Sequence, residues 1–134
     1  MYADLKIKGG VMIKKARYLI VDDSRFMRLS LRQYLEEMGA RYIEEASNVE
    51  EAMKKYEEFK PNVITVDIIM PGGTGLEIVK KIRERDKECK IIVVSAMGQE
   101  NVVVEAIEKG ANHFILKPVS FDKFKKALER VLNE

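Results

Sequence analysis

Asp22, Asp23, Asp67, Ser95 and Lys117 all stand at the ends of short apolar runs, formed by residues 20–21, 63–66, 91–94 and 114–116. Three carboxylates brought together repel one another and rise in pKa unless a cation neutralises them. An all-oxygen set of that kind, completed by water, suits Mg2+. A carboxylate can also act as a nucleophile and form an acyl phosphate. Phosphoryl transfer needs positioning and charge neutralisation more than elaborate acid–base machinery. Lys117 fits the ammonium that would face a phosphoryl group, and Ser95 the hydroxyl that would hydrogen-bond to one of its oxygens. Each residue alone has a plainer explanation. Asp22 or Asp23 could cap a helix, Ser95 could do the same, and Lys117 could be a surface lysine. Asp67 resists such an account, because it ends the most apolar run, where an unpaired charge is expensive. The coincidence of all four positions is what points to function.

For these groups to meet, the elements carrying them must end on one edge. Residues 18–21, 41–45, 63–66, 91–94 and 114–116 read as strands, separated by stretches of helical period. The predicted helices run over 24–38, from Asn48 to before Pro61, from about Leu76 to Arg85, over 100–109, and from Ser120 onward. Asn48 with Glu51 resembles a capping box, and Gly39 and Gly110 end the first and fourth helices. Leu31, Tyr34, Leu35 and Met38 form one inward stripe. Ala52, Met53, Tyr56 and Phe59 form the next, followed by Leu76, Val79 and Ile82, then Phe121, Phe124, Leu128 and Val131. Five βα units in this order predict a doubly wound α/β sandwich with a five-stranded parallel sheet. In such sheets the carboxyl ends of the strands share an edge, where ligands bind at the switch in strand order. Only the second strand lacks a reactive terminal residue.

Composition removes other classes. The chain has 134 residues, 46% hydrophobic and 34% charged, with a net charge of +2. That is room for a single domain, with none for an attached esterase or DNA-binding unit. The charge is too small, and its lysines too interspersed with glutamates, to imply a nucleic-acid partner. No apolar run approaches the ~20 residues of a membrane span, and no secretory signal is visible. A single cysteine, Cys89, favours a reducing cytoplasm. Residues 1–16 read as a flexible extension, or as a hairpin turning at Gly9-Gly10, and residues 17–134 as the domain proper.

The strings V-D-D-S-R-F-M-R (21–28), V-D-I-I-M-P-G-G-T-G (66–75), V-S-A-M-G (94–98) and L-K-P (116–118) resemble those of response regulator receiver domains of the CheY-like, single-domain chemotaxis type. The similarity covers nearly the whole chain from Arg17. It implies the flavodoxin-like strand order 2-1-3-4-5 and a phosphoacceptor at Asp67. It also implies Mg2+ held by Asp22, Asp23 and Asp67 together with the backbone carbonyl of Ile69. Ser95 would be the switch hydroxyl, Phe114 the switch aromatic and Lys117 the phosphate-pairing lysine, with a cis Lys117-Pro118 bond. The expected partners are a histidine kinase and a target docking on the surface of the fourth helix, fifth strand and fifth helix. That target would be a flagellar motor switch protein or, in a phosphorelay, a histidine phosphotransfer protein. The expected protein is a cytoplasmic monomer that catalyses only its own phosphorylation and dephosphorylation.

Three positions depart from many relatives. Phe114 stands where a tyrosine is frequent, so no outward phenol can report the switch. Ile69 and Met97 are apolar where polar groups often flank the attacking water, which implies slow intrinsic dephosphorylation. Ile69 also argues against a Mg2+-dependent aspartyl-phosphate phosphohydrolase, whose second acid would occupy that position. No Ser/Thr/Gly-rich phosphate loop follows the first strand, which argues against a flavin carrier. Of Val102, Val103 and Val104, at least one must face outward, because successive helical residues turn by about 100°. His113, the only histidine, reads as an edge or surface residue rather than a phosphodonor.

Overall fold

In the computed structural model, which describes residues 13–133, the elements run β1 (Arg17–Val21), α1 (Arg25–Glu37), β2 (Tyr42–Ala46), α2 (Val49–Phe59), β3 (Val63–Val66), β4 (Ile69–Met70), β5 (Gly73–Thr74), α3 (Gly75–Arg85), β6 (Lys90–Ser95), α4 (Glu100–Glu108), β7 (His113–Leu116) and α5 (Phe121–Leu132). Five strands form one parallel sheet in the order β2-β1-β3-β6-β7. With β6 and β7 as the fourth and fifth sheet strands, this is the expected order 2-1-3-4-5. The order reverses between β1 and β3, so the ends of those strands form the cleft.

Alternation along each strand divides the core between the two sheet faces. Tyr18, Ile20, Val63, Ile92, Val94 and Ile115 meet Leu31 and Leu35 of α1 and Phe124, Leu128 and Val131 of α5. On the other face Leu19, Val21, Ile64, Val66, Ile91 and Val93 meet Ala52 of α2, Ile78, Val79 and Ile82 of α3, and Ala106 of α4. Burying each large aliphatic chain stabilises the fold by about 1.5–3 kcal/mol. That rigid double layer is the platform on which the loops at the strand ends are built. Helix α4 contributes least, since Ala106 is its one fully buried residue and its N-cap, Gln99, makes no side-chain cap bond.

Local chemistry sets most of the element ends. Ser24 Oγ accepts from Met27 N, Asn48 Oδ1 from Glu51 N, and Ser120 Oγ from Lys123 N. The Glu51 carboxylate reaches back to Ser47 N rather than to Asn48, so the expected box is displaced by one residue. Helix α2 stops before Pro61 as expected, through Lys60 in the left-handed region at φ 52°. The second strand is shifted to Tyr42–Ala46, leaving Arg41 outside. The loop after β3 is more ordered than its glycines suggest. β4 and β5 pair as a short antiparallel hairpin, and Thr74 with Glu77 forms a complete capping box on α3. Phe121 is only half-buried, while the rest of its predicted stripe is enclosed.

Ile13 and Ala16 are buried in the core, and Tyr18 Oη donates to the Ile13 carbonyl at 3.0 Å. Packing therefore begins ahead of Arg17. The hairpin considered around Gly9-Gly10 and the extension over residues 1–12 lie outside the described residues. Among the described residues, no helix is long and apolar enough to cross a membrane.

Candidate phosphoryl and metal site

Asp22 and Asp23 follow β1, Asp67 follows β3, Ser95 ends β6 and Lys117 follows β7. Parallel pairing holds these ends level. Asp22 N donates to the Ala46 carbonyl, Asp67 N to that of Val21, and Lys117 N to that of Ser95. Carboxylate oxygens of Asp22, Asp23 and Asp67 all lie within 4.8 Å of one another, the spacing a single small cation requires. Oxygen-only donors with an open side match the preference of Mg2+ for one or two carboxylates plus water and phosphate oxygen. The residues therefore fit that ion.

Lys117 pairs with two members of this cluster. Its Nζ lies 2.9 Å from Asp22 Oδ2 and 3.0 Å from Asp67 Oδ2. Burial works against the ammonium, but hydrogen bonds to both carboxylates outweigh it and hold the Lys117 pKa above the ordinary lysine value. Asp22 is nearly inaccessible, at 2% exposure. Burial pushes its pKa up, the nearby Asp67 charge adds to that, and the Ser24 amide and Lys117 only partly oppose it. Asp23 is exposed. The cluster thus combines two buried carboxylates, Asp22 and Asp67, the latter at 6% exposure, with one exposed carboxylate, Asp23. Such a site is short of positive charge, and a divalent cation would supply it.

The backbone around Asp67 is packed to the limit. A Cβ on Gly75 would sit 1.9 Å from the Asp67 carbonyl oxygen, and Gly75 N donates to the Ile68 carbonyl at 2.8 Å. Asp67 Oδ1 lies 3.4 Å from Ile69 N, while the Ile69 side chain is 59% exposed beside it. Ser95 is fully buried and its Oγ accepts from Met97 N at 3.2 Å. The hydroxyl proton is thus left to donate elsewhere. Phe114 is half-buried and, like Met97 and Val102, packs against the core layer that contains Ala106 of α4. Gly98 of the β6–α4 loop lies against Leu116, where a Cβ would meet the side chain at 2.6 Å. The Lys117-Pro118 bond is cis, as expected. Val104 is the outward valine, at 47% exposure, with Val102 and Val103 half-buried. His113 is half-buried at the start of the edge strand β7.

The amino-acid pattern did not single out Arg28, Glu45 or Thr65. Arg28 Nη1 donates to the backbone carbonyl of Asp22 at 2.8 Å, and its Nε to Glu45 Oε1 at 2.9 Å. Arg32 holds the other Glu45 oxygen at 2.7 Å. The i, i+4 spacing of Arg28 and Arg32 was visible, but their shared partner on β2 was not. Thr65 Oγ1 is buried without a hydrogen-bond partner among the described residues.

Comparison with known proteins agrees with this geometry. The chain matches the response regulator receiver domain family over residues 18–129. It is 45% identical over 114 residues to the chemotaxis protein CheY of Listeria monocytogenes, covering 85% of this chain and 96% of that one. It is also 45% identical over 115 residues to CheY of Thermotoga maritima, covering 86% and 96%. A chain of the CheX-CheY-BeF3-Mg+2 complex from Borrelia burgdorferi superposes with a TM-score of 0.85 at 34% identity, covering 90% of this chain and 91% of that one. The strand order, the acid-rich strand ends and the extent of these matches agree, and the chain belongs to the response regulator receiver domain family.

Proposed function

We propose that the protein is a receiver of chemotaxis-type signalling, which takes a phosphoryl group from a histidine kinase onto Asp67 and in that state binds a downstream protein. The observation that carries this reading is Lys117 Nζ bridging Asp22 and Asp67 inside a cluster of three carboxylates. Asp22, Asp23, Asp67 and the Ile69 carbonyl would hold Mg2+. That ion would offset the charge on the phosphoryl oxygens and on the acids.

A carboxylate oxygen of Asp67 attacks the phosphorus. The new O–P bond forms as the P–N bond of the donor phosphohistidine breaks, and the imidazole leaves with the bonding pair. Gly75 and the α3 capping box hold the Asp67 backbone still during attack. Lys117 then moves its ammonium from the carboxylates to a phosphoryl oxygen, and Ser95 donates its hydroxyl proton to another. Because Ser95 is enclosed, that bond draws the β6–α4 loop inward and shifts the weakly packed α4. Phosphorylation would thereby favour one arrangement of this element over another. Phe114, packed against the core layer that contains Ala106 of α4, would follow the same movement. The surface that changes is formed by α4, β7 and α5, where Val104, Ile107 and Leu116 stand exposed. A flagellar motor switch protein is the kind of target that the similarity to CheY supports.

Incubation with acetyl phosphate and Mg2+ tests the chemistry. Intact mass should rise by one phosphoryl group in the wild type and stay unchanged in Asp67→Asn. Equal labelling of both proteins would refute the assignment. A pull-down of the phosphorylated form then separates motor-switch targets from histidine phosphotransfer proteins. Since Ile69 and Met97 offer a water no hydrogen bond from their side chains, the phosphoryl group should be lost over minutes or longer. A half-life of seconds, followed by the same mass measurement, would contradict that.

A further inference from the structure

Asp22 has every polar atom committed. Its amide donates to Ala46, Oδ1 accepts from Ser24 N, Oδ2 faces Lys117, and its carbonyl accepts from Arg28. Asp23 is different. It is exposed, and among the described residues no hydrogen bond or ion pair holds its carboxylate. With no side-chain partner to hold it, the space its carboxylate can reach depends on how the backbone presents Asp23. The peptide plane between Asp22 and Asp23 contains the Asp22 carbonyl, since the peptide unit is rigid. Fixing that oxygen fixes how the plane is turned, and so where the Asp23 Cα sits and which positions its carboxylate can reach.

Arg28 is well placed to fix it. Its side chain is 16% exposed, and its planar guanidinium spans Glu45 Oε1 at 2.9 Å and the Asp22 carbonyl at 2.8 Å. A fork of this shape holds two acceptors in a set geometry, which an ammonium cannot do. Glu45 cannot swing away, because Arg32 holds its second oxygen at 2.7 Å and also donates to the Ile43 carbonyl. The first turn of α1 contains no acidic residue. A cation placed there is unfavourable to the helix dipole, so Arg28 has a role other than stabilising the helix end.

We propose that Arg28 is a positioning residue for the divalent cation, turning the Asp22–Asp23 peptide so that Asp23 faces the site, with Glu45 holding the guanidinium in place. This rests on the metal reading above. Groups in the second layer around a metal commonly set its affinity by tenfold or more.

The test is titration of Mg2+ alone into the unphosphorylated full chain, by calorimetry, with amide shifts of residues 22–24 recorded in EDTA. Removing a positive charge beside an acidic site should tighten cation binding if Arg28 acts only through its charge. The proposal gives the opposite sign, with Arg28→Gln weakening Mg2+ about tenfold. Arg28→Lys keeps the charge and loses the fork, and should also weaken it severalfold. Both should move the Asp23 amide resonance in the metal-free state. Lys55→Gln, which breaks the separate Lys55–Glu44 pair on β2, should change neither readout. Tighter binding in Arg28→Gln, or wild-type affinity in Arg28→Lys, overturns the proposal. Failure of the wild type itself to bind Mg2+ overturns the metal reading and this inference with it. Unfolding midpoints in EDTA identify any variant whose weak binding reflects lost structure.

Discussion

Thr65 and Gly75 lie on either side of Asp67 in the chain, and each makes a residue-scale prediction. Thr65 is two residues before Asp67 and shares its sheet face, registered between Ile20 and Ile92. Its hydroxyl is buried there without a partner among the described residues, and an unsatisfied buried polar group costs about 1–3 kcal/mol. Thr65→Val should raise stability by about 1 kcal/mol in urea unfolding. A loss of stability would mean that the hydroxyl is satisfied after all. Gly75 is the opposite case, since any side chain there meets the Asp67 backbone. Gly75→Ala should lower stability by about 3 kcal/mol and slow labelling by acetyl phosphate. An unchanged urea midpoint would show that the β3–α3 loop can retreat without penalty.

At the scale of elements, the junction of α1 with β2 is electrostatic and the seat of α4 is loose. Burial would raise the pKa of Glu45, but its bonds to Arg32 and Arg28 outweigh that and hold it below the ordinary 4.5. A folded-state pKa below the unfolded one means stability that is complete above the unfolded value and lost as pH falls through the folded one. The difference in Tm between wild type and Glu45→Gln should be widest near neutrality and close below about pH 4. A gap that persists in acid would assign the effect to packing instead. Helix α4 has no side-chain cap and a single enclosed residue. At its far end, Arg83 of α3 ties down the Gly110 carbonyl at 3.0 Å and Asn112 Oδ1 at 2.9 Å. One end is anchored and the end nearest Ser95 is not, which suits an element that answers events at the site.

For the molecule as a whole, the cluster of three acids contains one ammonium, paired with Asp22 and Asp67 and not with Asp23, and is short of positive charge. A ligand that binds only the folded chain stabilises it by mass action, about 2.7 kcal/mol at a hundred times its Kd. Mg2+ should therefore raise Tm relative to EDTA, and Asp23→Asn should lose most of that gain without a fall in its EDTA midpoint. If Mg2+ raised the Tm of Asp23→Asn as much as that of wild type, the cation would have to be bound elsewhere. The exposed apolar groups Phe26 and Ile69 sit on the first turn of α1 and on the short β4 rather than on the five-stranded sheet. Changes there should alter chemistry and recognition before they alter the fold.

The amino-acid order alone determined the five strands, the helices between them and the reactive residue closing each of four strands, because apolar periodicity, caps and prolines act over a few neighbours. It also carried the family resemblance, through motifs interleaved with those elements. Only the tertiary structure decided which atoms meet. Lys117 divides itself between Asp22 and Asp67, Arg28 holds the Asp22 carbonyl as well as the Glu45 carboxylate, and Thr65 has no partner among the described residues. Those outcomes depend on strand register and on how each helix seats on the sheet. Register and seating follow from the simultaneous packing of residues distant in sequence, and no local pattern encodes them.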